Sequence, residues 1–506
     1  MIDDLAVADP NGLAVDDGSR RRGWAELRDR SIRVARFLRE EAGVGADDHV
    51  AVLMRNRVEY VELILGAIMA GVWITPINWH LSRDEIEYVV ADSGAKLLFS
   101  DPYFASVARE VSAAGRAQVL LAGDDLDAVL ATASDRPLDP DGPAGGNMIY
   151  TSGTTGRPKG VKRARPAALA AGMANLETLG RNIGLDGSGP HLVTGPMYHA
   201  APLMFAIYDN ANGAPIVILP RFEAAEALDV IECREIAHTH LVPTMFVRLL
   251  RLPEARRAAF RAPKLELVLH GAAPVSVAVK QRMIEWWGER FVEYWGATEG
   301  GVNTLIDSAD WLAHPGSVGC ALPAFEVFAV DASGGRLPAG EIGDLYCRHR
   351  TVARPFEYHG DPEKTAAAYL EPHVFTIGDI GRVESDGHVY LADRKSSMII
   401  SGGVNIYPVE VEQVVQEHPA VADVAVFGIP DDEWGESVKA AVELTPGFTD
   451  SPELEAEILA FARERLASYK LPRSIDFEAE LPRHPTGKLY TRRLRDRYWQ
   501  GRDRKI

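Results

Sequence analysis

Strand-like and helix-like stretches take turns along the first three hundred residues, and no other feature narrows the fold so far. Apolar runs of strand length recur at "HVAVLM" (49–54), "KLLFS" (96–100), "NMIY" (147–150), "PIVIL" (215–219), "THLVP" (239–243), "LELVLH" (265–270) and "FVEYW" (291–295). Between them lie stretches of helical spacing, such as 275–287 and 24–40, where Leu27, Ile32, Val34, Ala35 and Leu38 fall near one face. Such alternation implies an α/β fold of layered, largely parallel sheets, whose ligands bind beyond the carboxyl ends of strands. From about 325 the rhythm changes to short strands and turns, "FEVFAV", "EIGDLYCR" and a hairpin at "ESDGHVYL", which predicts a small β subdomain. "DRKSS" (393–397) then interrupts the strands, and beyond it helix 408–417, strands 422–428 and 437–444 and helix 452–467 form a compact α+β unit of roughly 110 residues. The predicted division is 1–393, a connection at 394–397, and 398–506.

A chain of 506 residues is too long for one core, which agrees with that division. Its 72 acidic and 54 basic side chains leave a formal charge of −18, so nucleic acid and anionic membranes are disfavoured as partners. The most membrane-like run, "LILGAIMAGVWITPI" (63–77), is shorter than the ~20 residues a span needs. It reads as a buried helix capped near Gly71 and followed by a strand. Three cysteines, Cys233, Cys320 and Cys347, are far apart, which argues against a disulfide framework or a zinc site of CxxC type. The acidic N-terminus lacks an apolar signal core, so a cytoplasmic setting is expected.

Against this acidic background "YTSGTTGRPKG" (150–160) stands out. A nucleotide P-loop would need Gly-Lys-hydroxyl after four intervening residues, but five on from Gly153 is Pro158 and Lys159 precedes Gly160. The stretch is nevertheless rich in glycines that let N–H groups approach an anion, with Thr151, Ser152, Thr154 and Thr155 adding hydroxyls. A solvated turn would use the same residues. The flank "RPKGVKRARP" favours the anion, because Arg157, Lys159, Lys162, Arg163 and Arg165 occur there without one acid.

Other short polar stretches fall at expected strand ends. "HGAAP" (270–274) offers small residues for close approach of a flat ring, although a helix start would explain it as well. "YWGATEGG" (294–301) carries Thr298 and Glu299, a hydroxyl and a carboxylate of the kind that hold Mg²⁺ beside phosphate. "TIGDIG" sets Asp379 between glycines, suited to a ribose diol or simply to a turn. "SGGVNIYPVEVE" (401–412) is a glycine loop entering a helix with Pro408 in its first turn, and "HPTGKL" places Lys488 in a turn.

In order and spacing these stretches resemble the AMP-forming adenylate synthetase superfamily, which includes acyl-CoA synthetases, adenylation domains of peptide synthetases and firefly-type luciferases. The resemblance covers essentially the whole chain. It implies a large N-terminal domain of layered α/β sheets with a β-barrel-like subdomain and a small mobile C-terminal α+β domain. It further implies that Thr151, Ser152, Gly153, Thr154, Thr155, Gly156 and Lys159 hold the triphosphate of ATP. Gly271, Ala272 and Ala273 would line the adenine, with Trp295 and Gly296 against its face, and Asp379 and Arg394 would hold the ribose. Thr298 would contact the α-phosphate, Glu299 with Thr151 the Mg²⁺, and Lys488 would bridge the attacking carboxylate and the phosphoryl group. Rotation about Lys395 and Ser396 would exchange the Lys488 loop for the Ser401, Gly402, Gly403 loop, which would admit coenzyme A. Ser396 stands where most relatives carry Asp or Lys, and Trp295 where tyrosine is commoner.

Amino-acid-activating relatives carry an aspartate after the phosphate loop. Here "GPMYHAAPLMFAIYDN" (195–210) offers an apolar stretch instead, with Asp209 too far along to match. The expected acyl pocket is Tyr198, His199, Met204, Phe205, Met245 and Gly300, with His199 at the carboxylate and thiol entrance. Only eighteen residues follow Lys488, so no fused carrier domain is expected and free CoA is the simplest acceptor, its nucleotide end met by Arg163, Arg165 or Lys439. The expectation is therefore an acyl-CoA synthetase that uses ATP, Mg²⁺ and CoA on a hydrophobic carboxylic acid. The alternatives are an acyl-AMP ligase loading a separate carrier protein and a catalytically silent nucleotide-binding relative. The resemblance also makes a homodimer an expectation, since many relatives are dimers.

Overall fold

The computed structural model describes residues 2–115, 117–151, 158–394, 397–401, 404–431, 434–483 and 489–500. Two large sheets organise its first three hundred residues. In the first, of nine strands, Phe291–Ala297, Leu267–His270, His238–Leu241, His191–Val193, Ile216–Ile218 and Leu13–Asp16 are successive parallel neighbours. The second, of seven strands, is parallel through Gln118–Leu121, Ala95–Ser100, His49–Leu53, Trp73–Pro76 and Gly146–Thr151. Its other edge is antiparallel, Lys159–Arg163 followed by Phe356–Tyr358. The expected strands are present, each within a residue or two of its predicted bounds, because fully buried parallel strands read as uninterrupted apolar runs.

Helix Val58–Ala70 is buried at every residue and ends at Gly71, whose φ of +74° is a left-handed cap that a Cβ would strain. This helix and Ala200–Ala211 contribute to one apolar cluster that also takes Val50 and Ile74 from the second sheet and Val193 and Ile216 from the first. The run that resembled a membrane segment is thus a core helix. It carries two fully buried carboxylates, Glu59 bonded by Arg20 and Arg57, and Glu62 bonded by Arg22 and Arg30. No described helix is long and apolar enough to cross a membrane. Helix Trp24–Arg36 is shorter than predicted and passes into a π turn at Phe37–Glu41.

Residues 325–394, apart from strand Phe356–Tyr358, form the six-stranded β subdomain, with hairpin Asp379–Val383 and Val389–Arg394 as predicted and an apolar cluster that includes Trp295. The smaller C-terminal domain packs helices Pro408–Gln416 and Pro452–Arg463 on a five-stranded sheet with a separate apolar cluster. Strand Ser474–Glu478, parallel to Gly435–Leu444, was not foreseen: it holds few apolar residues and is completed by its pairing.

Candidate active site

A cleft of about 1040 Å³ opens between the two domains. Its N-terminal wall includes Tyr198, His199, Ala272, Ala273, Trp295, Gly296 and Asp379, and the C-terminal domain brings Leu489, Tyr490, Thr491 and Arg492 to it. Tyr198, the 271–273 loop and Trp295, separate in sequence, meet here because the parallel strands that deliver them end side by side, and Asp379 joins them from the start of a β-subdomain strand.

Each is held by a specific contact. His199 is the N-cap residue of helix Ala200–Ala211, and the turn before it is clamped by Asn56. The Asn56 side chain donates to the carbonyls of Gly195 and Leu219 at 2.9 and 3.1 Å and accepts from the Met197 N–H at 2.8 Å. Gly271 follows strand Leu267–His270 where a Cβ would come within 2.6 Å of the Tyr294 carbonyl and 2.9 Å of its ring. Ala272 then adopts φ +66°, a left-handed conformation that alanine rarely takes and that marks functional loops. The "HGAAP" stretch is therefore a constrained loop; the helix starts later, at Val277 with Ser276 as its cap.

Trp295 borders the cleft yet is 4% exposed, set at a β-bulge with Gly296. Its indole Nε1 donates to Asp379 Oδ2 at 2.7 Å, so the aromatic residue steers the carboxylate expected to meet the ribose. Thr298 and Glu299 are half-buried on the following turn. Tyr358 donates its hydroxyl to Glu299 Oε1 at 3.0 Å, and strand Phe356–Tyr358 pairs with Lys159–Arg163, the strand that follows the stretch expected to hold phosphate. Lys159, opposite Thr151 in register, lies 3.6 Å from Asp361. Segment 356–361 thus links the Thr151–Lys159 loop base to Glu299. A half-buried carboxylate and a threonine hydroxyl are hard oxygen donors that suit Mg²⁺, which keeps much of its water shell.

Some of the expected site residues stand back from the cleft or have other partners. Met204, Phe205 and Met245 do not border the cleft; all are more than nine-tenths buried, the first two in the core shared by the sheets and Met245 beside Thr194. Gly300 also stands off the cleft wall, against Asn303 and Phe375. Behind the wall, Phe205 meets Tyr294 and His240 edge-on at 5.3 and 5.4 Å. Burial lowers the His240 imidazole to about 3, so the ring is neutral, with Nε2 3.1 Å from the Tyr294 hydroxyl. Burial likewise pushes the Tyr198 phenol up, reinforced by nearby Tyr490. The cationic flank is mostly occupied with structure. Arg165 pairs with Asp47 at 2.5 Å and stacks on Trp73, Lys162 lies over the same indole, and Arg163 packs under Gly301. Lys439, buried, pairs with Asp476 at 2.7 Å. Ser152, Gly153, Thr154, Thr155, Gly156, Lys395, Ser396, Gly402, Gly403 and Lys488 lie outside the described residues, as does the side chain of Arg394, whose backbone pairs with Asp379. Ser401 pairs with Val404 and Gly435.

Sequence reasoning missed Asn56, Tyr358 and Tyr294. Asn56, a lone amide two residues after strand "HVAVLM", was the one with a readable signal.

A two-domain α/β fold with this interdomain cleft defines an adenylate-forming enzyme, and comparison with known proteins agrees. The chain belongs to the AMP-binding enzyme family, whose model matches residues 3–356, with the AMP-binding enzyme C-terminal domain at 410–488. It is 33% identical to the fatty acid–[acyl-carrier-protein] ligase ScoC of Streptomyces coeruleorubidus, over 99% of this chain and 96% of that one. It is 35% identical to a feruloyl-CoA synthase of Amycolatopsis, over 97% and 96%. ATP-bound MatB from Rhodopseudomonas palustris superposes with a TM-score of 0.85 at 29% identity, covering 96% of each chain. Apo MatB gives 0.74, covering 97% of this chain and 96% of that one. The chain is accordingly an ATP-dependent, AMP-forming acid–thiol ligase, of a family that uses ATP and CoA.

Proposed function

We propose that the chain is an acyl-CoA synthetase for a hydrophobic fatty or aryl acid. The observation that carries this reading is the cleft itself, in which Tyr198, His199, the 271–273 loop, Trp295 and Asp379 converge with residues 489–492 of the C-terminal domain. In the first step a carboxylate oxygen attacks the α-phosphorus of ATP, the acyl–phosphate bond forms and pyrophosphate leaves. In the second the CoA thiolate attacks the acyl carbon, the C–S bond forms and AMP leaves with the electron pair of the broken C–O bond.

The first step brings anion to anion, so cations and N–H groups must face the developing charge. Lys488, Thr298 and the 151–156 loop with Lys159 take that role, while Asp379 and Arg394 hold the ribose. Glu299 and Thr151 would hold Mg²⁺, which would supply charge neutralisation on the phosphates when bound. His199 and Tyr198 wall the acyl entrance, with Phe205, Met204 and Met245 backing it. The domain placement supports the adenylate-forming state, since the chain is more similar overall to ATP-bound than to apo MatB and residues 489–492 already border the cleft. Rotation about 394–397 would then bring Ser401, Gly402 and Gly403 in for CoA. Dimerisation is part of the same reading and is checked by light scattering.

Pyrophosphate and AMP release from ATP across a panel of carboxylic acids, with and without CoA, tests the reading. AMP release that requires CoA, with one class of acid, is expected. Pyrophosphate release indifferent to CoA would turn the assignment to a carrier-protein ligase, the second reading that the likeness to ScoC favours. Turnover with no acid would leave a silent nucleotide binder. Lys488→Ala should abolish adenylation while largely sparing thioester formation from supplied acyl-AMP, and Gly403→Trp should do the reverse; equal loss of both half-reactions in either variant contradicts the two-state scheme.

A further inference from the structure

Next to the cleft wall, one strand further in, lies an asparagine whose amide has been left without a protein partner. Strand Phe291–Ala297 runs antiparallel to Gly301–Asp307, with Trp295 opposite Thr304 and Gly296 opposite Val302, so Asn303 is the extra residue of the β-bulge. Its backbone is engaged, the carbonyl accepting from the Leu322 N–H at 2.9 Å. Its side chain is fully buried, and among the described residues neither Oδ1 nor Nδ2 has a hydrogen-bond partner. The amide lies against the α-carbon of Gly300, where an added Cβ would come within 2.9 Å of both amide atoms and of Phe375 Cε2.

Buried amides are almost always paired, because an unmet donor or acceptor keeps its full cost of leaving water. Two unmet atoms on one side chain, on the strand beside Trp295 and Gly296 of the cleft wall, point to a group that the ligand brings. Arg163, at the neighbouring Gly301, faces the buried Tyr208 phenol and does not meet the amide's need.

We propose that Asn303 receives a ring hydroxyl of the acid, so that the substrate is a hydroxylated aromatic acid. This rests on the acyl-CoA synthetase reading above and narrows its acid. A hydroxyl serves both amide atoms, since it gives its proton to Oδ1 while its own lone pair, or that of an adjacent ring oxygen, accepts from Nδ2. A second carboxylate has no proton for Oδ1 and is repelled by it. An alkyl tail leaves both atoms unmet once water is expelled. The Phe375 ring beside the amide suits an aromatic ring. Asn303 thereby reads the far end of the acid and touches none of the reacting atoms. Its effect is on selection: a site built to hydrogen-bond a hydroxyl rejects the analogue lacking it far more strongly than an apolar pocket rejects a missing methylene.

The test measures pyrophosphate release from ATP by the full chain with benzoate and cinnamate, their meta-hydroxy, para-hydroxy and para-carboxy derivatives, and fatty acids of similar length. One hydroxy derivative is expected to exceed its parent acid in kcat/KM by ~10²-fold or more. Asn303→Leu, close in volume to the amide, should shrink that ratio to about 10-fold or less by slowing the hydroxy acid and speeding the parent. Misfolding would slow both acids alike, and the native preference decides the case without any variant. Parent, para-carboxy or fatty acids turned over as well as the hydroxy acids would overturn the proposal while leaving the synthetase reading intact. A native preference that Asn303→Leu does not change would also overturn it, by showing that another group reads the hydroxyl. Turnover of no acid would remove the synthetase reading and this proposal together.

Discussion

At the scale of single residues the site works through second partners. Asp379 is aimed by the Trp295 indole, and hydrogen bonds to charged groups contribute ~1.5–3 kcal/mol, which is roughly 10–100-fold in an equilibrium. Trp295→Phe should therefore raise the KM for ATP by about that factor while the protein stays folded, since the ring volume in the β-subdomain cluster is nearly kept. An unchanged KM would show that Asp379 needs no such support. His240 makes a prediction about pH. Its folded value of about 3 lies below the ordinary 6.5, so between those values the unfolded chain binds a proton that the fold refuses. The stability it contributes is complete above the upper value and is lost as pH falls toward the lower one. His240→Gln, which keeps an acceptor for Tyr294, should flatten the acid limb of the thermal midpoint by at most about 1.4 kcal/mol per pH unit. His49, also lowered to about 3 by burial, and His270, held well below its ordinary value by burial, would keep a remaining slope. An identical acid limb in the variant would mean that His240 is already protonated in the fold.

At the scale of elements, the loop 271–276 shows how a strand end becomes a binding surface. Gly271 is pressed on Tyr294 and Ala272 is held left-handed, so the two positions should answer oppositely to substitution. Gly271→Val should stop pyrophosphate release, because the added carbons overlap the Tyr294 backbone. Ala272→Gly should be neutral or mildly stabilising, in contrast to the usual cost of glycine, since it relieves ~1 kcal/mol of left-handed strain. A thermal midpoint lowered by Ala272→Gly would show that the strain is not real. The strand–helix alternation was legible at this scale because burial on both faces leaves a continuous apolar run. Strand Ser474–Glu478 was illegible for the opposite reason: its stability comes from a parallel neighbour far away in sequence.

At the scale of the whole molecule, the placement of the C-terminal domain draws on contacts across the cleft. Arg251 of the N-terminal domain donates to the Ala422 carbonyl at 3.2 Å and lies 3.8 Å from Glu443, both across the cleft. Exposed pairs of this kind contribute little, so Arg251→Ala should slow adenylation about 2–5-fold and leave thioester formation from supplied acyl-AMP unaffected. Equal slowing of both half-reactions would show that the contact does not select a domain placement. What the sequence by itself determined was the layered α/β class, the change to a β subdomain near 325 and the motif stretches that meet at the cleft. These are written in local periodicity and in short runs of glycine, hydroxyl and charge, which a chain displays whatever its neighbours. Only the tertiary structure decided which cations remain for a ligand. Arg163, Arg165 and Lys439 have internal partners supplied by distant segments, and Met204, Phe205 and Met245 lie behind the cleft wall because helix packing turned them inward. Tyr358 reaching Glu299 and Asn56 clamping the His199 turn are decided there too, because a hydrogen bond between residues more than fifty positions apart exists only once the sheets have brought their ends together.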